Sequence, residues 1–490
     1  MTKFVRICFL LSLASFFSTC RKDVPIGDSS GGLSFDRTKI TFDTVFSSVG
    51  SVTKRFKLYN SSSSPLTIAS VSLGGGNTSY YRINIDGILG KKLTNIQIPA
   101  KDSLFGFVEV TLNPQSSDTP FLVEDSLIFV SSNNTQYIKL LAYGQNAHYI
   151  IADKYFGSIP FKVISHSNDT TWGEKDSLPI VVYGYAVVDS LQKLTIKAGA
   201  KIYFHPGSAL WVYRGGSLDV QGELGKPVVF QGDRLQYEYR DVAGQWDRIW
   251  INDGGVNSIK YAVIKNALIG IQAEIFPLDL KTGKVDPQAP TKLTLDNTVI
   301  KNMNGLGILA RNFNINCTNT VITDCAQALM WFMGGVYDFR HCTLADYYPF
   351  ANRQNPAVLL SDTYESTGQH FNLDANFHNS IIYGDQQAEV GFTQKGSGSF
   401  AYMFNHCLMR VDSKTNTSDG THYNACSFNI PFHSDSTIFV APYKSNYELS
   451  SVSSFALGKG DPAIANTVPK DIKGRARTTN PDLGAYQKSN

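Results

Sequence analysis

Residues 297–300 read NTVI, and residues 319–322 read NTVI again. The pattern returns as HCTL at 341–344, NSII at 379–382 and HCLM at 406–409, with a looser copy, YAVI, at 261–264. From the looser copy onward the starts lie 36, 22, 22, 38 and 27 residues apart. A shared unit near 22 residues, lengthened in some copies, is the mark of a solenoid with loops let into some coils. Asn and His accept left-handed backbone angles more readily than most residues. Asn297, Asn319, His341, Asn379 and His406 are therefore expected to form a structural ladder, one tight turn per coil. The small residue after each is expected to point into a narrow interior. The aliphatic run that follows is strand-forming and would pair with the coils above and below at about 4.8 Å.

Outward from these copies the repeat lengthens. VIKN occurs at 263–266 and 299–302, followed by IGI at 269–271 and LGI at 306–308. Upstream, residues 194–232 show short alternating strands cut by glycines, which also suits β-coils. On these residues, 150–460 resembles the right-handed parallel β-helix of the pectate-lyase-like superfamily, and the Asn/His column resembles that family's asparagine ladder. Residues 246–271 (WDRIWINDGGVNSIKYAVIKNALIGI) are similar to the coil-opening segment of Bacteroidetes-type β-helix lipoproteins. Residues 458–487 resemble the terminal motif of the choice-of-anchor Q group, with Gln487 where that motif usually carries an acid. That exchange is read as neutral for the fold. The resemblance implies an architecture and no single activity, because β-helices carry lyases, hydrolases, adhesins and inert stalks alike.

The N-terminus places Lys3 and Arg6 before an apolar run, ICFLLSLASFF, and small residues before Cys20. This is a secretory signal pattern over 1–19. Cys20 resembles the lipidated residue of a relaxed lipoprotein box, although Phe17 stands where Leu is usual. An ordinary cleaved signal is the plainer alternative. Residues 20–32 are polar and rich in Gly and Ser, a tether composition. The implied location is the cell envelope, lipid-anchored to the outer membrane.

Residues 33–148 differ from the repeats. KITFDTVF, VTKRFKLYN, LTIASVSL and five further short runs alternate at about 12-residue spacing without a helical period, the pattern of an antiparallel sandwich. KLYNSSSSPLTI resembles the immunoglobulin-like modules of bacterial envelope proteins. The expected fold is therefore all-β: an immunoglobulin-like β-sandwich over 33–148, a right-handed parallel β-helix over 149–460, and a closing segment over 461–490. Asp-Ser/Thr followed by an aliphatic residue recurs around Thr44, Ser103, Ser126, Ser177 and Ser190. It resembles a Bacteroidetes O-glycosylation sequon; turn chemistry is the local alternative.

The formal charge is +3, and removal of Lys3 and Arg6 leaves it near +1, which speaks against a nucleic-acid partner. Cys317, Cys325, Cys342, Cys407 and Cys426 remain beyond the N-terminal pair. Cys342 and Cys407 share a column, but the Ser380 coil separates them by roughly 9.6 Å, too far for a disulfide. Buried small side chains are the reading. No Cys/His spacing points to a metal, and no cofactor is implied. No catalytic set stands out: the paired carboxylates of β-helix hydrolases are absent as a motif. Asp338 and Arg340 alternate on a strand and should pair on its solvent face. Trp331 and Phe332 offer either a sugar platform or interior packing. Long insertions are where solenoids carry binding surfaces, so Tyr347, Tyr348 and Arg353 are the glycan-binding candidates, and residues 276–291 are a second insertion of interest. The functional expectation is a β-helix surface for glycan binding or structural display. A polysaccharide lyase or glycoside hydrolase on the β-helix flank is one alternative, and an adhesin or inert spacer another.

Overall fold

The computed structural model describes residues 32–115, 119–131, 134–165, 167–252, 255–275, 292–430, 438–477 and 479–488. The signal segment, Cys20 and the insertion at 276–291 lie outside the described residues. Contacts divide the chain into Met1–Asn146 and Ala147–Asn490.

The first unit is a β-sandwich of two five-stranded sheets. One runs Leu33–Phe35, Lys54–Asn60, Ser103–Val110, Tyr81–Ile85, Ile88–Gly90. The other runs Lys39–Phe46, Asn134–Gln145, Phe121–Ser131, Leu66–Leu73, Lys92–Ile98. Period-two alternation buries one face of the longer strands: in Lys39–Phe46, Ile40 and Phe42 point in while Lys39 and Thr41 point out. The inward faces meet in one apolar core around Phe56, Ile83, Phe129 and Leu140. Gly106 carries no side chain because a Cβ there would lie 2.2 Å from the Phe56 ring.

The second unit is the parallel β-helix. Its coils have three faces. A coil in the middle shows the pattern: Leu306–Thr318 supplies the first and second faces and Val321–Cys325 the third. The next coil repeats it with Ala328–Arg340 and Thr343–Asp346. Between these coils the pairs are parallel and in register, with Ile308 over Met330, Ile315 over Tyr337 and Ile322 over Leu344. Eleven parallel strands, from His148–Ile151 to Ser427–Phe428, make up the third face. A right-handed winding is the one that parallel crossovers favour. The interior is a single apolar core in which like residues stack, as in Phe339, Phe377 and Phe404, whose rings lie 5.1 and 5.0 Å apart.

The corner between the second and third faces is built from the repeated tetrapeptides. Tyr261, Asn297, Asn319, His341, Asn379 and His406 all have positive φ, between 45° and 53°. Ala425, with φ 51°, makes a seventh such corner that no Asn or His marked in the sequence. The small residue that follows is buried at Thr298, Thr320, Cys342, Ser380 and Cys407. Each donates to the carbonyl two residues back: Thr298 at 3.0 Å, Thr320 at 3.1 Å, Ser380 at 2.8 Å, and the Cys342 and Cys407 thiols at 3.5 and 3.6 Å. That carbonyl also accepts the corner N–H of the preceding coil, as Thr318 O does from Asn297 N at 3.1 Å, so the bond serves the buried hydroxyl or thiol, whose donor would otherwise go unmet in the interior. Ser, Thr and Cys share the column because each carries a short donor.

A second column of left-handed residues marks the far end of the third face: Asn266, Asn302 and Asp324. Asn302 Nδ2 donates to Asn266 Oδ1 at 2.8 Å. Its trace in the sequence is the VIKN match at 263–266 and 299–302.

The C-terminal residues 458–477 and 479–488 lie along the first corner. Asn319 Nδ2 donates to the Asn297 side chain (3.1 Å) and to Lys470 O (2.7 Å), while its Oδ1 accepts from Arg477 (2.7 Å). Asn379 donates to His341 Nε2 (3.0 Å) and exchanges two hydrogen bonds with the Asp461 backbone, at 2.9 and 2.7 Å. Gly484, at φ 81°, comes so close that a Cβ would stand 2.6 Å from Thr343 Oγ1. Gln487 is not neutral for this segment: its Oε1 accepts from Asp482 N and its Nε2 donates to Asp482 Oδ2 at 2.9 Å. A carboxylate at 487 would face the Asp482 carboxylate instead.

Candidate functional site

The insertion after Thr343–Asp346 supplies the residues nominated for glycan binding, and the structure buries all three. Tyr347 is 1% exposed and packs against Phe439, Tyr443 and Tyr447; Tyr348 is 8% exposed. Arg353 is 2% exposed. Its two terminal nitrogens each donate to Glu389 at 2.7 Å, one of them also reaches Asp385 at 2.8 Å, and Nε lies 3.3 Å from Asp346. Burial pulls this guanidinium down, and the Glu389, Asp346 and Asp385 carboxylates more than reverse the effect, so its pKa is raised. Burial pushes the Glu389 carboxyl up, against the pull of Arg353. This arginine is a bidentate internal pin that ties the insertion to the Glu389 coil. It offers no donor to an outside ligand.

What the insertion does build is a pocket of about 210 Å³ on the third-face side. Phe350 and Tyr443 stand at it with 75% and 65% of their surface exposed, the latter ring edge-on to Tyr347 at 5.4 Å. Asp241, Lys301, Asn302, Asp324 and Lys444 provide its polar lining. Asp324 ends the second left-handed column, and its carboxylate accepts from Ser445 Oγ at 2.7 Å and from Tyr447 Oη. Burial raises its pKa, with the Tyr447 and Ser445 hydrogen bonds opposing. The pocket therefore joins residues from four segments: Asp241, 301–324 of the coils, 347–350 of the insertion, and 442–445 of the following hairpin. Of these, only the insertion is marked in the sequence. The exposed Phe350 was the available signal within it, masked by the two tyrosines beside it.

The β-helix presents two other lined surfaces. The outward side of the first face carries Trp211, Trp250, Gln272, Leu309, Trp331 and Leu359 in one register column. The Trp211 and Trp250 rings stack at 4.7 Å. Glu274 accepts there from Trp250 Nε1 (2.7 Å), Gln272 Nε2 (2.6 Å) and Arg311, and Asp247 is held by Arg248 (2.7 Å) and Tyr185. These carboxylates are answered from within, which suits a self-supporting face. Trp331 belongs to this outer column while Phe332 points into the core. The second surface is a groove of about 500 Å³ beside residues 467–470; small polar residues with Lys260, Asp296 and Lys470 line it, and no aromatic ring does. Asp338 and Arg340 pair at 2.7 Å on that face.

In the Asp-Ser tripeptides, the aspartate accepts from the next backbone N–H at Ser103 (2.7 Å), Ser126 (2.7 Å) and Ser190 (2.8 Å). Ser177 and Ser190 are exposed, whereas Thr44, Ser103 and Ser126 are half-buried.

No family model matches the chain, and no curated protein does. Among solved structures it is similar to the ASH/PapD-like domain of human CEP192, at 10% identity over 26% of this chain and 94% of that one, with a TM-score of 0.17. It is also similar to the catalytic domain of a family 87 α-1,3-glucanase in complex with nigerose, at 12% identity over 76% of this chain and 86% of that one, TM-score 0.20. A family 123 glycoside hydrolase from Clostridium perfringens matches at 8% identity over 28% of this chain and 26% of that one, TM-score 0.18. Likenesses at this level carry no functional argument.

Proposed function

We propose that this chain is a lipid-anchored cell-envelope protein whose β-helix binds glycan at the pocket between Phe350 and Tyr443. One observation carries the reading: two aromatic rings, both mostly exposed, stand at a concave site lined by amide, ammonium and carboxylate groups. An aromatic face packs on the apolar face of a pyranose, and the polar lining meets its hydroxyls. Anchoring rests on Cys20 following the apolar N-terminal run. O-glycosylation belongs to the same reading, and Ser177 and Ser190 are the sites open to a modifying enzyme.

A glycan array probed with the mature protein tests the binding reading. Phe350→Ala with Tyr443→Ala is expected to weaken any glycan bound by wild type about tenfold or more, roughly 1.4 kcal/mol. Affinity equal to wild type in a folded double variant removes this pocket. Cys20→Ala is expected to release the protein from membranes and abolish lipid labelling; persistent labelling refutes the anchor. Cleavage of the bound glycan is a second reading, favoured by Asp324 and Asp241 lining one pocket. Hydrolysis needs an acid and a base on either side of the scissile bond. Release of reducing ends by wild type, abolished in Asp324→Asn, would establish it; an intact ligand after prolonged incubation would dismiss it.

A further inference from the structure

Cys426 occupies the corner column one coil beyond Cys407. The strands on either side set the register: Phe404 and Asn405 pair with Tyr423 and Asn424, and Leu408 and Met409 pair with Ser427 and Phe428. Cys407 therefore faces Cys426 across a single coil spacing, and Ser427 N donates to Cys407 O at 2.8 Å. Each thiol occupies the inward donor position of its corner, Cys407 contacting Phe377 O at 3.4 Å and Cys426 contacting Phe404 O at 3.3 Å. A one-coil separation of about 4.8 Å falls within the Cα range of disulfides. Cys342 and Cys407 lie two coils apart, whereas Cys407 and Cys426 lie one coil apart.

These coils are also where a cross-link has most effect. The third-face strands Leu408–Met409 and Ser427–Phe428 are two residues each, against five in Val321–Cys325. Terminal repeats of a solenoid have a neighbour on one side only and open first. Cys407 is fully buried and Cys426 half-buried. The neighbouring Cys407 thiol holds the Cys426 pKa below its ordinary value, while burial pushes Cys407 up.

We propose that Cys407 and Cys426 form a disulfide when the protein meets a disulfide oxidant, stapling the last two coils of the β-helix. The Cys426 thiolate attacks one sulfur of the oxidant and displaces a thiol. The Cys407 thiol gives up its proton and attacks the Cys426 sulfur of that mixed disulfide, displacing the second thiol. The protein loses two electrons and two protons, and the oxidant's disulfide gains them.

The test treats the purified full chain with oxidised glutathione, blocks remaining thiols and maps tryptic peptides without reduction. Cleavage after Arg410 and Lys414 puts the two cysteines on separate peptides. The expected product is peptide 396–410 joined to peptide 415–444, about 2 Da lighter than the two thiols together. Oxidation should raise the melting temperature of the solenoid by about 5 °C over the reduced protein. That difference should vanish in Cys426→Ser, where a hydroxyl keeps the corner donor as Ser380 does. Both cysteines recovered with the blocking group, glutathione retained on Cys426, or an oxidation shift that survives Cys426→Ser would each overturn the proposal.

Discussion

The β-helix turns the same corner in two ways. In its early coils the chain passes from second to third face through glycine: Gly173, Gly199 and Gly225 have φ of 76°, 82° and 80°. From residue 261 onward a single left-handed Tyr, Asn or His, and at position 425 an Ala, followed by a small residue does the work. Both solutions meet the backbone requirement. The later one adds a side chain at the corner, and the C-terminal segment reads those side chains through Asn319, His341 and Asn379. A glycine corner is a turn, whereas an asparagine corner is a turn and a docking edge.

The strongest way to break this contrast is Asn379→Val. It places a β-branched residue in a left-handed turn and removes three hydrogen bonds, one to His341 and two to the Asp461 backbone. The expected loss is about 3 kcal/mol, read from denaturant unfolding of the solenoid. Asn319→Val should follow at about 2 kcal/mol. A corner that is merely a turn would lose no more than an early-coil variant does.

His341 supplies a pH test. Burial, helped by the Arg477 charge, drives its pKa well below the ordinary value. The folded state therefore binds fewer protons at this site than the unfolded state. Stability from His341 is fully present above about pH 6.5 and is lost as pH falls toward the folded pKa, by up to about 1.4 kcal/mol per unit. The lowered His378 acts in the same direction. His341→Asn, which copies the neighbouring rungs, should flatten the melting temperature between pH 7 and 5; an unchanged slope would assign it to other groups.

The smallest effect belongs to the early coils. A Cβ at Gly199 would meet nothing within 4 Å, so only the left-handed angle is at stake. Gly199→Ala is expected to cost about 1 kcal/mol and Gly199→Asn less than about 0.5. Equal costs for the two would show that left-handed tolerance is not what distinguishes the corners.

Each level of the structure was legible to the degree that it is local. Asn297 and His341 announce their backbone conformation because left-handed angles are a property of one residue and its neighbours. Ala425 did the same job unannounced, held at φ 51° by the coil below rather than by its own preference. The candidate site was half legible. The insertion was found, but which of its aromatic rings face out depends on residues 439–447, nearly a hundred positions later, which cover Tyr347 and leave Phe350 bare.

The sequence by itself therefore determined the all-β class, the sandwich followed by a coil repeat, and the left-handed corners at Asn297, Asn319, His341, Asn379 and His406. Alternation and left-handed tolerance act over a few residues, and a repeat forces its neighbours into register. Tertiary structure alone decided that Arg353 would face inward to Glu389, that Gln487 would clasp Asp482, and that the third face would end in a pocket. Burial and pairing are set by whichever distant segment arrives to cover a side chain, and no local pattern encodes that arrival.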